Sequence, residues 1–433
     1  MARRSSCIAR VTARSIFDSR GRPTVEADVV LDDGASGRAS VPSGTSTGRH
    51  EARELRDDDP SAHGGHGVSA AVGHVRGAIA ARIAGMDAID QEAIDRALIE
   101  LDGTPSLGRL GANAVLATSL ATARAAASHA GQPLYRYLSR WRGDAPMRIP
   151  MPMTNLVSGG AHVARGEIGG RLDFQDFMLI PIGATRFADA LAMIARTGAA
   201  AVELLAGTGA RFAGDGGLDP GFRRTEQALE LVVRAIEGAG LRPGVDVAIG
   251  LDLAASELEV EGGGGYHLAG DDRRLSSRDL IALVLDLAAR FPIISVEDPL
   301  AQDDWDAWRE LVRAAPGLQV VGDDLFATQL SRVARGIADR AATAGIVKPN
   351  QNGTLTGTLG VMTALRTAGL ATIVAGRSGD TEDAFVADLA VGAGAGQIKI
   401  GAFRNTERLA KYNQLIRIEE EAGLPFAQHS PIG

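Results

Sequence analysis

Cysteine is almost absent from this sequence of 433 residues: Cys7 stands alone, which excludes a disulfide framework and a cysteine-based metal site. Long apolar runs are missing too. No stretch approaches the roughly 20 residues needed to span a bilayer, and the opening MARRSSCIARVTARS lacks the apolar core of a secretory signal. Positive charge is not in excess. The formal net charge is −8, which argues against nucleic acid or a membrane surface as partner, so the expectation is a cytoplasmic enzyme with a small-molecule substrate. No GxGxxG or P-loop follows an apolar run, and no internal repeat or low-complexity tract is present.

The scarcest residue with chemical meaning is lysine. Only Lys348, Lys399 and Lys411 occur, and the other 42 basic residues are arginine. Arginine replaces lysine well at solvated surfaces. It cannot do so where a neutral amine must accept a proton, because the guanidinium stays charged while a lysine pKa can be lowered. A chain that keeps three lysines therefore points to at least some of those positions as functional.

What is present is ordinary in bulk, with 45% hydrophobic and 23% charged residues. The length suits a barrel of roughly 250 residues joined to a smaller domain. Residues 1 to 60 read as an antiparallel meander: TVEADVVLDDG alternates apolar and polar before an Asp-Asp-Gly turn, and GRASVP follows as the next strand. Three helical patterns closed by glycine come next, VSAAVGHVRGAIAARIAG, AIDQEAIDRALIELDG and GANAVLATSLATARAAASHAG. The expected organisation is an α+β domain over 1–142 and an α/β barrel over 143–433, with the boundary at APMRIPMPM. In the second part the β-rich runs VDVAIGLDL, PIISVEDP, LQVVGDDL, AGIVKPN, ATIVAGRSG and GQIKIGA alternate with helical runs such as SSRDLIALVLDLAARF and DWDAWRELVRAA. Strand and helix in repeating order predict a parallel sheet, and this many units favour a closed barrel over an open sheet.

Each of these β-runs ends in a residue of useful chemistry: Asp252, Glu297, Asp323, Lys348, Arg377 (just past TIVAG) and Lys399. Spacings of 26, 25, 29 and 22 residues separate the last five, about one βα unit each. The 45 between Asp252 and Glu297 leave room for a hairpin in ELEVEGGGGYHLAG. At successive C-terminal strand ends these side chains converge on the face where barrel active sites lie. Three carboxylates without His or Cys among them suit a hard divalent cation, Mg²⁺ before Zn²⁺. Two lysines opposite that cation suit removal of a proton next to a carboxylate, with ammonium-rich surroundings depressing a lysine pKa.

On these residues and on ARSIFDSRGRPTVE, VPSGTSTGRHEA, LDGTPSLGRLGANAVLATSLATARA, SVEDPLAQDDW, VGDDLFATQ, RSGDTEDAFVADLAVGAGAGQIK and NTERLAKYNQLIRIEEE, the chain resembles the enolase family over nearly its whole length. The resemblance implies an enolase-type barrel, a homodimer and two Mg²⁺ sites. It implies Asp252, Glu297 and Asp323 as ligands of the first Mg²⁺, and Ser46, in the SGTSTG loop, as a ligand of the second. It implies Lys348 as the base, Lys399 as partner to the substrate carboxylate, and Arg377 and Ser378 as holders of a phosphate. His162 in GGAH matches an active-site histidine, and Lys411, in the C-terminal helix, reads as structural.

The side that handles the leaving hydroxyl departs from the family. Asp176 in Gln175-Asp176-Phe177 stands where the family has glutamate, and Gly214-Asp215-Gly216-Gly217 stands where it has Gly-Asp-Glu-Gly-Gly. Either Asp215 replaces the family's acid Glu or that Glu is deleted. Gly376 replaces a histidine before Arg377-Ser378, and the loop after His162 is longer and carries Glu167. These changes leave three readings open. The favoured one is a relative specialised for phosphonate metabolism; the others are the ordinary dehydration of 2-phosphoglycerate to phosphoenolpyruvate, and a non-catalytic binding protein.

Overall fold

The alternation near the N-terminus forms a three-stranded antiparallel sheet of β1 (Ile8–Phe17), β2 (Pro23–Leu31) and β3 (Ser36–Ser40). Its register sets Val11 against Val29 and Ala13 against Ala27, so one face of the pleat is apolar. The computed structural model describes residues 5–44, 48–163, 170–260, 262, 264–270 and 272–428.

The three helical patterns form as expected, with one irregularity. The first is split into Ser69–His74, a π turn at Val75–Ile79, and Ala80–Ile83. The second, Gln91–Asp102, starts at Asp90, whose carboxylate accepts from Ala93 N–H, and stops at Gly103 in the left-handed region. The third, Ala112–His129, packs on β2 and β3 and is buried on nearly every side, which its run of alanines permits.

That helix also ties the small domain to the barrel. Arg124 grips Asp383 with two nearly parallel bonds, Nη1–Oδ2 at 2.6 Å and Nη2–Oδ1 at 2.7 Å, and Ser40 N–H donates to the same carboxylate. Burial works against the Asp383 charge, but Arg124 outweighs it and holds the carboxyl below its usual range. Arg124→Ala leaves a buried carboxylate without its cation and is expected to cost about 3 kcal/mol in chemical denaturation. A loss under half that would mean the pair contributes little to joining the two parts.

The barrel begins at β4 (Met151–Pro152) and β5 (Thr154–Ser158), two pieces of one extended segment interrupted at Met153. Then come β6 (Asp176–Ile180), the short hairpin β7 (Arg211–Phe212) and β8 (Leu218–Asp219), and β9 (Ala248–Asp252). A separate hairpin, β10 (Tyr266–Leu268) with β11 (Arg273–Leu275), fills the long interval before β12 (Ile293–Glu297). It turns a few residues beyond the glycine run where the sequence suggested it, and among the described residues a single bridge, Glu259 to Tyr266, spans the glycines. The remaining strands are β13 (Gln319–Gly322), β14 (Ala344–Val347), β15 (Ala371–Ala375) and β16 (Gln397–Lys399).

All of these except β10 and β11 join one 11-stranded sheet. β4 pairs with β16 at one end of the strand order, while β5 pairs with β6 at the other, so the segment containing both closes the sheet into a barrel. β7 and β8 hang from β5 as an edge hairpin. The expectation of an all-parallel sheet is corrected at β6, which runs antiparallel to both β5 and β9. The chain returns beside β5 as its antiparallel neighbour, with Ser158 facing Asp176, so these two strands pair as an antiparallel ladder and not as a βαβ unit. The interstrand helices read from sequence are capped at their starts. Ser276 and Asp279 form a capping box for Ser277–Arg290, and Asp304 caps Trp305–Ala314.

Candidate active site

Strand register lines up the mouth of the barrel. Ser158 faces Asp176, Asp176 faces Asp252, and Asp252 faces Glu297 across consecutive strands. Because β6 runs the opposite way, its first residue reaches the same rim as the last residues of its neighbours. Asp323 follows β13 directly, Lys348 follows β14, and Lys399 ends β16. Asp176, Asp252, Asp323, Lys348 and Lys399 line a cavity of about 80 Å³ together with His162, Asp215 and Arg377.

Lys399 Nζ lies 2.7 Å from Asp252 Oδ2, 2.7 Å from Glu297 Oε2 and 3.4 Å from Asp176 Oδ2. Lys348 Nζ pairs with Asp323, whose other oxygen accepts from Gln351 Nε2. The expectation that surroundings depress a lysine pKa is therefore corrected. Burial does push both ammonium groups down, but Asp323 for Lys348, and Asp252 and Glu297 for Lys399, outweigh it and raise both pKa values. As long as Asp323 stays in contact, Lys348 is held in its charged form.

A second wall is built from His162, Asp176 and Asp215. His162 Nδ1 lies 2.9 Å from Asp176 Oδ1 and 3.5 Å from Asp215 Oδ2. Asp215 accepts from Asn155 Nδ2 (2.8 Å), Ser158 Oγ (2.9 Å to Oδ1) and Gly217 N–H (3.2 Å). Gly217 carries no side chain for a reason, since a Cβ there would come 2.1 Å from Ser158 Oγ. Burial opposes charge at His162, but Asp176 and, after it, Asp215 lift its pKa to about 9. Asp176, despite burial, is drawn down to about 2 by His162 and Lys399. At neutral pH the imidazolium is thus the protonated group of this pair.

A histidine raised from 6.5 to about 9 on folding stabilises fully below pH 6.5 and loses that contribution as pH rises through about 9. His162→Gln removes the titrating charge, so the gap in thermal stability between parent and variant should narrow from pH 7 to pH 10. A constant gap would show that His162 acts there as a neutral packing group.

Arg377 is buried, and its guanidinium bonds Glu51 Oε2 at 2.8 Å and Asn350 Oδ1 at 3.1 Å. Ser378 follows it at the cavity wall. Gly376 has little room: a Cβ would lie 2.8 Å from Asp380 Oδ2, so that carboxylate crowds the side chain the family carries here. Lys411 is fully buried away from the cavity, bonded to Thr381 C=O at 2.5 Å and paired with Asp380 at 3.0 Å. Ser46 and Glu167 lie outside the described residues.

Several groups at the site escaped sequence reasoning. Glu51 lies within the quoted VPSGTSTGRHEA, yet nothing marked it as the partner of Arg377. Asp298 and Asp324 are the second acids of the SVEDP and VGDDL doublets, which were visible signals. The Asp298 carboxylate accepts the N–H groups of Asp323 (3.0 Å) and Asp324 (2.8 Å). Asn155 and Ser158 had no signal at all.

The donor set fits a hard divalent cation. Burial, then neighbouring acids, push Glu297 and Asp298 well up and Asp324 to about 7, as expected where carboxylates outnumber cations. Glu297 Oε1 is buried with no hydrogen-bond partner among the described residues. Two groups bring possible ligand atoms within 4.8 Å of one another, Asp298–Asp323–Asp324 and His162–Asp176–Asp215. The first shares Asp323 with the trio read from sequence; in the second, hydrogen bonds already join His162 to Asp176.

A closed barrel with one antiparallel strand, an acid-rich rim and two buried lysines at its strand ends defines a metal-binding lyase-type scaffold. Residues 8–138 match the family model for the enolase N-terminal domain, and residues 146–429 match that for the enolase C-terminal TIM barrel domain. The chain belongs to the enolase family. No helix among the described residues is long and apolar enough to cross a membrane.

Proposed function

We propose that the protein is a Mg²⁺-dependent enzyme that removes the α-proton of a small phosphorylated or phosphonate acid, and that it is specialised away from glycolytic dehydration. The observation that carries this reading is the hydrogen bonding of Asp215: both of its carboxylate oxygens accept, from Asn155, Ser158 and Gly217, each of which donates. Asp176 is drawn down by His162 and Lys399 and is ionised. The proton available on that wall is on His162.

In this reading Lys348 takes the α-proton, Lys399 faces the substrate carboxylate, and Arg377 with Ser378 holds the phosphorus anion. A Mg²⁺ held by Asp252, Glu297 and Asp323 would stabilise the negative charge that develops on the substrate carboxylate. Asp176 orients His162. Phosphonate metabolism, as in carboxyphosphonoenolpyruvate synthase, is the chemistry proposed. Ordinary enolase activity is the second reading, favoured by one observation: Asp215 lies on the cavity wall, where it could replace the family's Glu. The likeness to homodimeric relatives extends the proposal to a homodimer with two Mg²⁺ sites and its small domain over 1–142.

The test is ³¹P NMR of the protein with Mg²⁺ and 2-phosphoglycerate, alone and with phosphonoformate or its nucleotide-activated form. A new phosphonate ester is the expected result. Rapid conversion of 2-phosphoglycerate alone to phosphoenolpyruvate would overturn the specialisation. Absence of both turnover and α-proton exchange would leave a non-catalytic binding protein.

A further inference from the structure

The arginine assigned to the phosphorus anion already carries an anion of the protein's own. Glu51 Oε2 accepts from Arg377 Nη1 at 2.8 Å and Oε1 from Nη2 at 3.4 Å, so the carboxylate lies across the end of the guanidinium fork. That is an edge a phosphate or phosphonate grips with two oxygens. Both side chains line the acid-lined cavity, with Glu51 6% and Arg377 4% exposed. Burial works against the Arg377 charge, and Glu51, ahead of Asp323, outweighs it.

Arg377 does not depend on Glu51 to keep its place. Its Nη1 also donates to Asn350 Oδ1 at 3.1 Å, and its C=O accepts from Nη1 of the buried Arg408. Glu51 in turn has other donors. Its Oε1 accepts from Gly48 N–H at 2.9 Å and from Gln351 Nε2 at 3.4 Å. The backbone beside it is pinned where Ala52 N–H donates to Gln351 C=O at 2.8 Å. A carboxylate that lets go of Arg377 therefore keeps hydrogen-bond partners, which lowers the cost of an exchange.

We propose that Glu51 is an internal competitor for Arg377: the phosphorus anion of the substrate takes the place of the Glu51 carboxylate on the guanidinium, and Glu51 thereby sets how tightly anions are held. The proposal rests on the reading that Arg377 holds that anion. A tethered carboxylate is always present at its site, so an anion from solution is held only by the margin with which it beats the tether. A small monocarboxylate offers Arg377 the group it already has. A phosphate or phosphonate dianion brings a second negative charge and a third oxygen, and so clears that margin.

Inorganic phosphate is the probe, titrated by calorimetry into the Mg²⁺-loaded full chain. Glu51→Gln keeps the shape and removes the competing charge, and should bind phosphate about tenfold more tightly than the parent, the scale of one charge-assisted hydrogen bond. Removing any nearby negative charge acts in the same direction, so Glu51→Asp is the deciding variant. It keeps the charge, withdraws the carboxylate from Arg377 by one methylene, and should still tighten phosphate several-fold. It also leaves the buried arginine a counterion, so it decides the matter even where Glu51→Gln does not fold. Parent affinity in Glu51→Asp would overturn the competition in favour of a general repulsion, and weaker binding would overturn it in favour of a positioning role. Arg377→Met separates this from the underlying reading. Loss of phosphate binding there, with no gain in Glu51→Asp, overturns the competition alone. Phosphate bound by Arg377→Met as tightly as by the parent would remove Arg377 as the anion holder.

Discussion

Lys348→Ala is expected to abolish exchange of the substrate α-proton with solvent, a loss of at least about 10³-fold, within the range a positioned general base supplies. Incubating 2-phosphoglycerate in D₂O with Mg²⁺ and following loss of the α-proton signal reads the step directly, whatever the later reaction. The alanine also leaves Asp323 buried without its cation, and breaking such a pair typically costs about 3–5 kcal/mol. Lys348→Met, similar in length and unable to take a proton, separates the two effects by filling the space. Both variants should be folded by circular dichroism before exchange is scored. Exchange surviving within tenfold of the parent in a folded Lys348→Met protein would remove Lys348 as the base. Lys399 would then be the remaining lysine on the cavity wall, since Lys411 is buried against Asp380 and Thr381.

The strand-end residues were legible because a parallel strand leaves the same chemistry at the same end of each repeating unit. One βα unit of spacing therefore places Glu297, Asp323, Lys348 and Lys399 without any knowledge of tertiary contacts. Asp176 was found only by resemblance, since its strand is antiparallel and presents its first residue to the rim rather than its last. An apolar run carries no mark of its direction. The pairing of Arg377 with Glu51 joins residues 326 apart in sequence, beyond the reach of any local pattern. The charge state of Lys348 failed for a related reason. Ammonium neighbours were visible as residue types, but the carboxylate in direct contact decides the sign, and contact is a property of the folded barrel. Asn155 is one of three polar residues in the buried β5, with Thr154 and Ser158, and reads as nothing in particular until its neighbours are known.

Mg²⁺ is expected to stabilise the protein in proportion to its occupancy of the rim. At a concentration about 100-fold above the dissociation constant, binding to the folded state alone adds about 2.7 kcal/mol, measurable as a rise in denaturation midpoint without any substrate. Glu297→Gln should remove most of that response. The parent carboxylate has one buried oxygen without a hydrogen-bond partner among the described residues and is pushed up by burial and by Asp252, so it gains from a cation. The amide keeps the shape but offers a single neutral oxygen. Asp176→Asn is the discriminating partner. If the cation instead used the His162–Asp176–Asp215 group, Glu297→Gln would keep the Mg²⁺ response and Asp176→Asn would lose it. The rim assignment predicts the reverse, because Asp176 already has both His162 and Lys399, while Glu297 among the described residues pairs with Lys399 alone and shares it with Asp252 and Asp176.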